Sequence, residues 1–241
     1  MSIKDTVVPF KESILNRSVD SALPIFFRNI MEDLNIDEGR FLVNVDKYVR
    51  KTIEPENFKE ISSIRTNLRK ELMRPVMTWK VFIRGLKVLN VKQFDFAVKA
   101  EIDRKGGDEG PTEVTVVYRV CLDPKASKEP NAINKTDIVL ATAFKAIMHK
   151  LGVNISRFMK LIADYIVRSN VPINTKEISS TRGNLKKELF KNAITWKVFV
   201  KGLSFLQVKR FTLYIYLHHY RGTITEHYLP VNLDDIHSQS E

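Results

Sequence analysis

Cysteine is nearly absent from this chain of 241 residues: Cys121 stands alone, so no internal disulfide can form. A single thiol suits a reducing compartment. No run is long and apolar enough to cross a bilayer, which takes about 20 consecutive apolar residues, so no membrane partner is expected. The opening MSIKDTVVPF lacks the basic-then-apolar layout of a secretory signal. The expected location is the cytoplasm (the host's, if the protein is viral).

The constellations of an enzyme are missing too. His218, His219, His227 and His237 lie close in sequence, but neighbours on a strand point to opposite faces. At most His219 and His227 could meet across a hairpin, and a structural metal usually takes four ligands. The loop RKGGDEGP carries glycines without the strand-to-helix context of a phosphate loop. No nucleophile-plus-base set and no carboxylate pair recurs along the chain. Neither catalysis, cofactor nor metal is therefore expected.

What the chain does contain is one segment written twice. Lys59–Phe94 reads KEISSIRTNLRKELMRPVMTWKVFIRGLKVLNVKQF, and Lys176–Phe211 reads KEISSTRGNLKKELFKNAITWKVFVKGLSFLQVKRF. The offset is 117 positions without a gap, and 22 of 36 positions are identical. At the same offset Leu23 matches Leu140, Phe27 matches Phe144, and Tyr48 matches Tyr165. A unit of roughly 105 residues has the size of a domain rather than of a solenoid repeat. The reading is an arm at 1–16, a first module at 17–123, a linker at 124–133, a second module at 134–235 and a tail at 236–241.

Acidic residues are in deficit, 28 against 39 basic ones, and the deficit is localised. Each copy of the repeated segment holds nine basic and two acidic residues, a balance of +7. The two copies carry +14 in 72 residues, and the other 169 residues sum to −3. Basicity confined to one motif is the electrostatic footprint of a polyanion binder.

Periodicity gives each module about four helices followed by a β-hairpin, an α+β fold. A second helix is expected from about Glu38 to Lys51, and from Ser156 to Arg168. Ser62 or Ser63 is expected to cap a third helix, with Ser179 or Ser180 in the second copy. Thr78 and Thr195 are the expected N-caps of a fourth. On that helix Trp79, Phe82, Leu86 and Leu89 make one stripe, and Lys80, Arg84 and Lys87 another. Gly85 and Gly202 lie inside it, where close packing against another backbone would compensate for the lost propensity. The two hairpins either pair across a pseudo-twofold axis into one sheet or pack separately on their own helices. A winged helix, with the hairpin as wing, is the minority reading.

The expected nucleic-acid-binding set is Arg65, Arg69, Lys70, Lys80, Arg84, Lys87 and Lys92 in the first copy. In the second it is Arg182, Lys186, Lys187, Lys197, Lys201, Lys209 and Arg210. Tyr214 and Tyr216, on the polar face of the strand FTLYIYLHHY, complete it as stacking groups for unpaired bases; covering a domain interface is their other reading. The expected function is non-enzymatic, salt-dependent, weakly sequence-specific binding of RNA or DNA, leaning to RNA or single strands. The alternative is a structural or assembly protein, self-associating or docked on a protein partner. The compact, lysine- and asparagine-rich, doubled style resembles that of large tailed-phage proteins, in style and not by any motif.

Overall fold

The computed structural model describes residues 19–52, 58–102, 112–122, 136–168, 175–218 and 224–233. The arm, the linker, the tail, the RKGGDEGP loop, His219 and His237 lie outside the described residues. Helices α1 (Val19–Asp33), α2 (Glu38–Thr52), α3 (Phe58–Leu72) and α4 (Trp79–Val88) precede strands β1 (Gln93–Ile102) and β2 (Glu113–Cys121). After a 3₁₀ turn at Thr136–Ile138 come α5 (Val139–Lys150), α6 (Ile155–Arg168), α7 (Thr175–Leu189), α8 (Trp196–Phe205), β3 (Val208–His218) and β4 (Ile224–Asn232).

Local chemistry sets the helix ends. Thr78 accepts a hydrogen bond from the Val81 amide, and Thr195 from the Val198 amide, so each hydroxyl satisfies an N–H that has no partner within the helix. Asp37 caps α2 by accepting from the Arg40 amide at 2.7 Å, and Asn154 caps α6 by accepting from the Arg157 amide at 2.8 Å. The C-terminal ends turn through left-handed residues at Asn35 (φ 51°), Asn90 (φ 61°), Gly152 (φ 63°) and Gln207 (φ 61°). The amides that follow at Ile36, Val91 and Val153 reach back five residues, to Met31, Leu86 and Met148, which closes orphan carbonyls. The expected serine caps of the third helix are wrong: α3 and α7 start earlier, at Phe58 and Thr175, so Ser62, Ser63, Ser179 and Ser180 fall in helix interiors.

The four strands form one antiparallel sheet in the order β2-β1-β3-β4. The hairpins thus join through β1 and β3, with Ala97 opposite Tyr214, Phe94 opposite Leu217 and Ala100 opposite Phe211. Alternation buries one face: Phe94, Phe96, Val98 and Ala100 on β1, and Phe211, Leu213, Ile215 and Leu217 on β3. The helices cover this face. α1 packs on β4 while α5 packs on β2, so the first helix of each half lies on the outer strand of the other half.

One hydrophobic cluster runs through both halves. At its centre Trp79 and Trp196 stack, with centroids 6.5 Å apart and planes 13° apart. Each indole also meets its own strand, Trp79 on Phe96 and Trp196 on Phe211, and the Trp79 Nε1–H donates to the Thr136 carbonyl. Gly85 and Gly202 are close-packed against side chains, not against backbone as expected. A Cβ at Gly85 would lie 2.5 Å from the Phe27 ring, and one at Gly202 2.7 Å from both Phe144 and Leu189.

Candidate nucleic-acid interface

Leu68 and Leu72 anchor α3, and Leu185 and Leu189 anchor α7. Residues on the opposite faces of these helices therefore point to solvent. Arg65, Arg69 and Lys70 are exposed on α3; Lys186 and Lys187 are exposed on α7, with Arg182 half-buried. On the fourth helix of each half Lys80, Lys197 and Lys201 are exposed, and Arg84 and Lys87 half-buried. α4 otherwise buries Trp79, Phe82, Ile83, Gly85, Leu86 and Val88. It presents a narrow edge rather than the open face that a recognition helix lays in a groove, and its hairpin runs into the sheet instead of standing beside it as a wing.

Several of these cations already have carboxylate partners. Arg69 pairs with Glu38, Arg65 lies 3.6 Å from Asp46, and Arg84 lies 2.8 Å from Glu71. Arg210 pairs with Glu101 across β1 and β3. Lys201 sits over the Phe205 ring at 6.0 Å, within reach of a cation–π attraction. Lys92 and Lys209 lie at matched strand starts, where their carbonyls accept from Leu122 and Leu233, both at 2.7 Å. These pairings were not legible in the sequence, because each carboxylate comes from a different element at an unrelated spacing.

Tyr214 and Tyr216 belong to a different surface. They stand on the outer face of the sheet, away from the helices, with ring centroids 6.4 Å apart and planes 11° apart. Tyr228 flanks Tyr214 from β4, and Val117 and Ile224 on the same face are more than half exposed. The charged groups of this face are Lys99, Arg119 and Arg210 against Asp95, Glu101, Glu113 and Glu226, so carboxylates outnumber guanidinium and ammonium groups among the described residues. Asp95 accepts from Arg119 Nε at 2.7 Å and faces His218 Nε2 at 3.0 Å. Burial alone would raise the Asp95 pKa, but the hydrogen bonds from Arg119 and His218 outweigh it and hold the carboxyl below its usual range. Burial pushes the Tyr216 phenol up to about 12, helped by the charge and hydrogen bond of Glu226. The sequence-derived set is therefore divided by the sheet, with the cations of the helices on one side and the tyrosines, together with Arg210, on the other.

His227, the one buried polar side chain among the described residues, faces Asp33 Oδ2 at 3.0 Å through Nδ1 and Thr225 Oγ1 at 3.1 Å through Nε2. It ties β4 to α1. Among the described residues no three of the His, Cys, Asp and Glu side chains gather as metal ligands, and no single helix is long and apolar enough to cross a membrane. Comparison with protein-family models, curated proteins and solved structures finds no match.

Proposed function

We propose that the protein is a non-enzymatic nucleic-acid-binding protein whose exposed cations on α3, α4, α7 and α8 neutralise phosphates. The observation that carries this reading is the confinement of the whole positive excess to the repeated segment, whose cations project from helices anchored by buried leucines. Phosphate contacts of this kind position a polyanion without reading bases, so binding is strongly salt-dependent and weakly sequence-specific. The order of four helices and two strands in each half, the Ala97–Tyr214 register and the Trp79–Trp196 stack join residues 117 positions apart. They support a tandem duplication closed about a pseudo-twofold axis.

A preference for RNA or single strands calls for tyrosines beside basic helices. The sheet separates the two, and its outer face has no cationic excess. That same face, with stacked tyrosines and exposed Val117 and Ile224, favours the second reading, a docking surface in an assembly. Fluorescence anisotropy with labelled RNA, single-stranded DNA and duplex DNA at two salt concentrations tests the proposal. If four phosphates are engaged, affinity falls roughly 10²-fold between about 50 and 200 mM salt. Tyr214→Ala and Tyr216→Ala leave it within about twofold, because both rings stand on the outer face of the sheet, away from the cationic helices. Absence of binding to every probe at the lower salt rejects the reading.

A further inference from the structure

The two halves carry matched cations, but among the described residues Arg65, Arg69 and Arg84 of the first half have carboxylate partners where Arg182, Lys186 and Lys201 of the second have none. Arg65 and Arg69 lie one helical turn apart on α3, facing Asp46 and Glu38 of α2. The positions matching Asp46 and Glu38 are Ala163 and Ile155 on α6. Arg182 and Lys186 therefore keep the charge and lose its partners. The third pair differs as well. Arg84 is bound to Glu71 at 2.8 Å, whereas Glu188, at the matching position, makes no ion pair with Lys201, which lies over Phe205 instead. Among the described residues Arg182, Lys186, Lys187, Lys197 and Lys201 have no carboxylate partner.

Resting on the nucleic-acid reading, we infer that the phosphate-binding site is the α7–α8 surface of the second half, built on Arg182, Lys186, Lys187 and Lys201, and that the matching arginines of the first half serve as ties between α2, α3 and α4. Binding gains its salt-dependent free energy by releasing counterions condensed on phosphates, and a cation contributes in proportion to the charge it brings unneutralised. An arginine beside a fixed carboxylate brings little, and the carboxylate repels the incoming phosphate. The first half also carries Lys70 on α3 and Lys80 and Lys87 on α4, the helices that bear the paired arginines. In the second half Arg182 and Lys186 share a face of α7, and Lys187 adjoins them. α8 packs against α7 and adds the exposed Lys201.

Matched double substitutions test this on the full chain, using a fluorescein-labelled RNA oligonucleotide and a labelled DNA duplex as probes. Arg182→Gln with Lys186→Gln should lower affinity about tenfold at low salt and flatten the slope of log K against log salt by about 1.5. Arg65→Gln with Arg69→Gln should change affinity less than threefold and leave the slope nearly as it was. Glu38→Ile with Asp46→Ala gives the first half the residues of the second, and should tighten binding severalfold and steepen the slope. Circular dichroism confirms that each variant is folded, and the gain expected of the last one cannot come from misfolding. Equal losses in the two Gln variants, or no gain from freeing Arg65 and Arg69, overturns the inference while the nucleic-acid reading stands. A wild-type chain that binds neither probe overturns both.

Discussion

Glycine inside a helix costs about 1 kcal/mol relative to alanine, yet at Gly85 and Gly202 the same substitution should destabilise the protein. An ideal Cβ at Gly85 would sit 2.5 Å from Phe27 Cε2, 2.8 Å from Cζ and 3.0 Å from Leu72 Cδ2. Carbon atoms prefer roughly 3.5–4.0 Å, so the ring would have to retreat by about 1 Å. Phe27 is fully buried and edge-packed on Phe41 and Phe82, which leaves it nowhere to go without moving two more rings. Overpacking a core of this kind costs about 1–3 kcal/mol. The net expectation for Gly85→Ala is a loss of about 1 kcal/mol, and the same for Gly202→Ala against Phe144 and Leu189. Gly183, in the interior of α7, provides the control: a Cβ there meets nothing within 4 Å among the described residues, so Gly183→Ala should stabilise by about 0.5–1 kcal/mol. Urea denaturation read by tryptophan fluorescence measures all three. A Gly85→Ala chain as stabilised as Gly183→Ala would show that helix propensity outweighs packing at that site, and would refute the reasoning.

Two further outcomes follow from the core and from the outer face of the sheet. Because the folded-state pKa of Asp95 lies below its ordinary value, its stabilisation is complete above the unfolded pKa of about 3.9 and vanishes as pH falls through the lower, folded value. Asp95→Asn should therefore cost about 1 kcal/mol near neutral pH, with the gap to wild type closing in acid; a gap independent of pH contradicts the assignment. For the stacked indoles, a double-mutant cycle of Trp79→Phe and Trp196→Phe should give a coupling of about 0.5–1.5 kcal/mol, and additive losses would show that the stack contributes nothing beyond burial.

Much of this architecture could be read from residue order because it follows from local pattern. The alternation of Phe94, Phe96, Val98 and Ala100 fixed which strand face is buried, and Thr78 and Thr195 mark helix starts through a contact only three residues long. Pairing β1 with β3 was one of two open choices. Alternation makes an apolar face but does not name its neighbour, and the register that puts Ala97 opposite Tyr214 depends on how both helical layers pack. The serine caps failed for a related reason. Ser62 and Ser63 have cap chemistry, but α3 begins at Phe58, so both fall inside a helix already under way.

The candidate site was legible only as a list of charges, since a formal charge says nothing about its distance to an opposite one. Arg69 and Glu38 are 31 residues apart and meet because α2 packs on α3. The proposed duplication explains why such ties differ between the halves. Trp79 and Trp196 touch each other, so altering one changes the surroundings of the other, and Gly85 and Gly202 are held by rings that also line the shared core. Matched core positions are coupled and resist drift. Glu38 and Ile155 sit on the surface, where an ion pair is worth only about 0–1 kcal/mol, so a carboxylate can be gained or lost there at little cost to the fold. On the proposed duplication, charge diverges on a scaffold whose interior stays alike, so that two near-identical helices, α3 and α7, present different electrostatic faces to the same solvent.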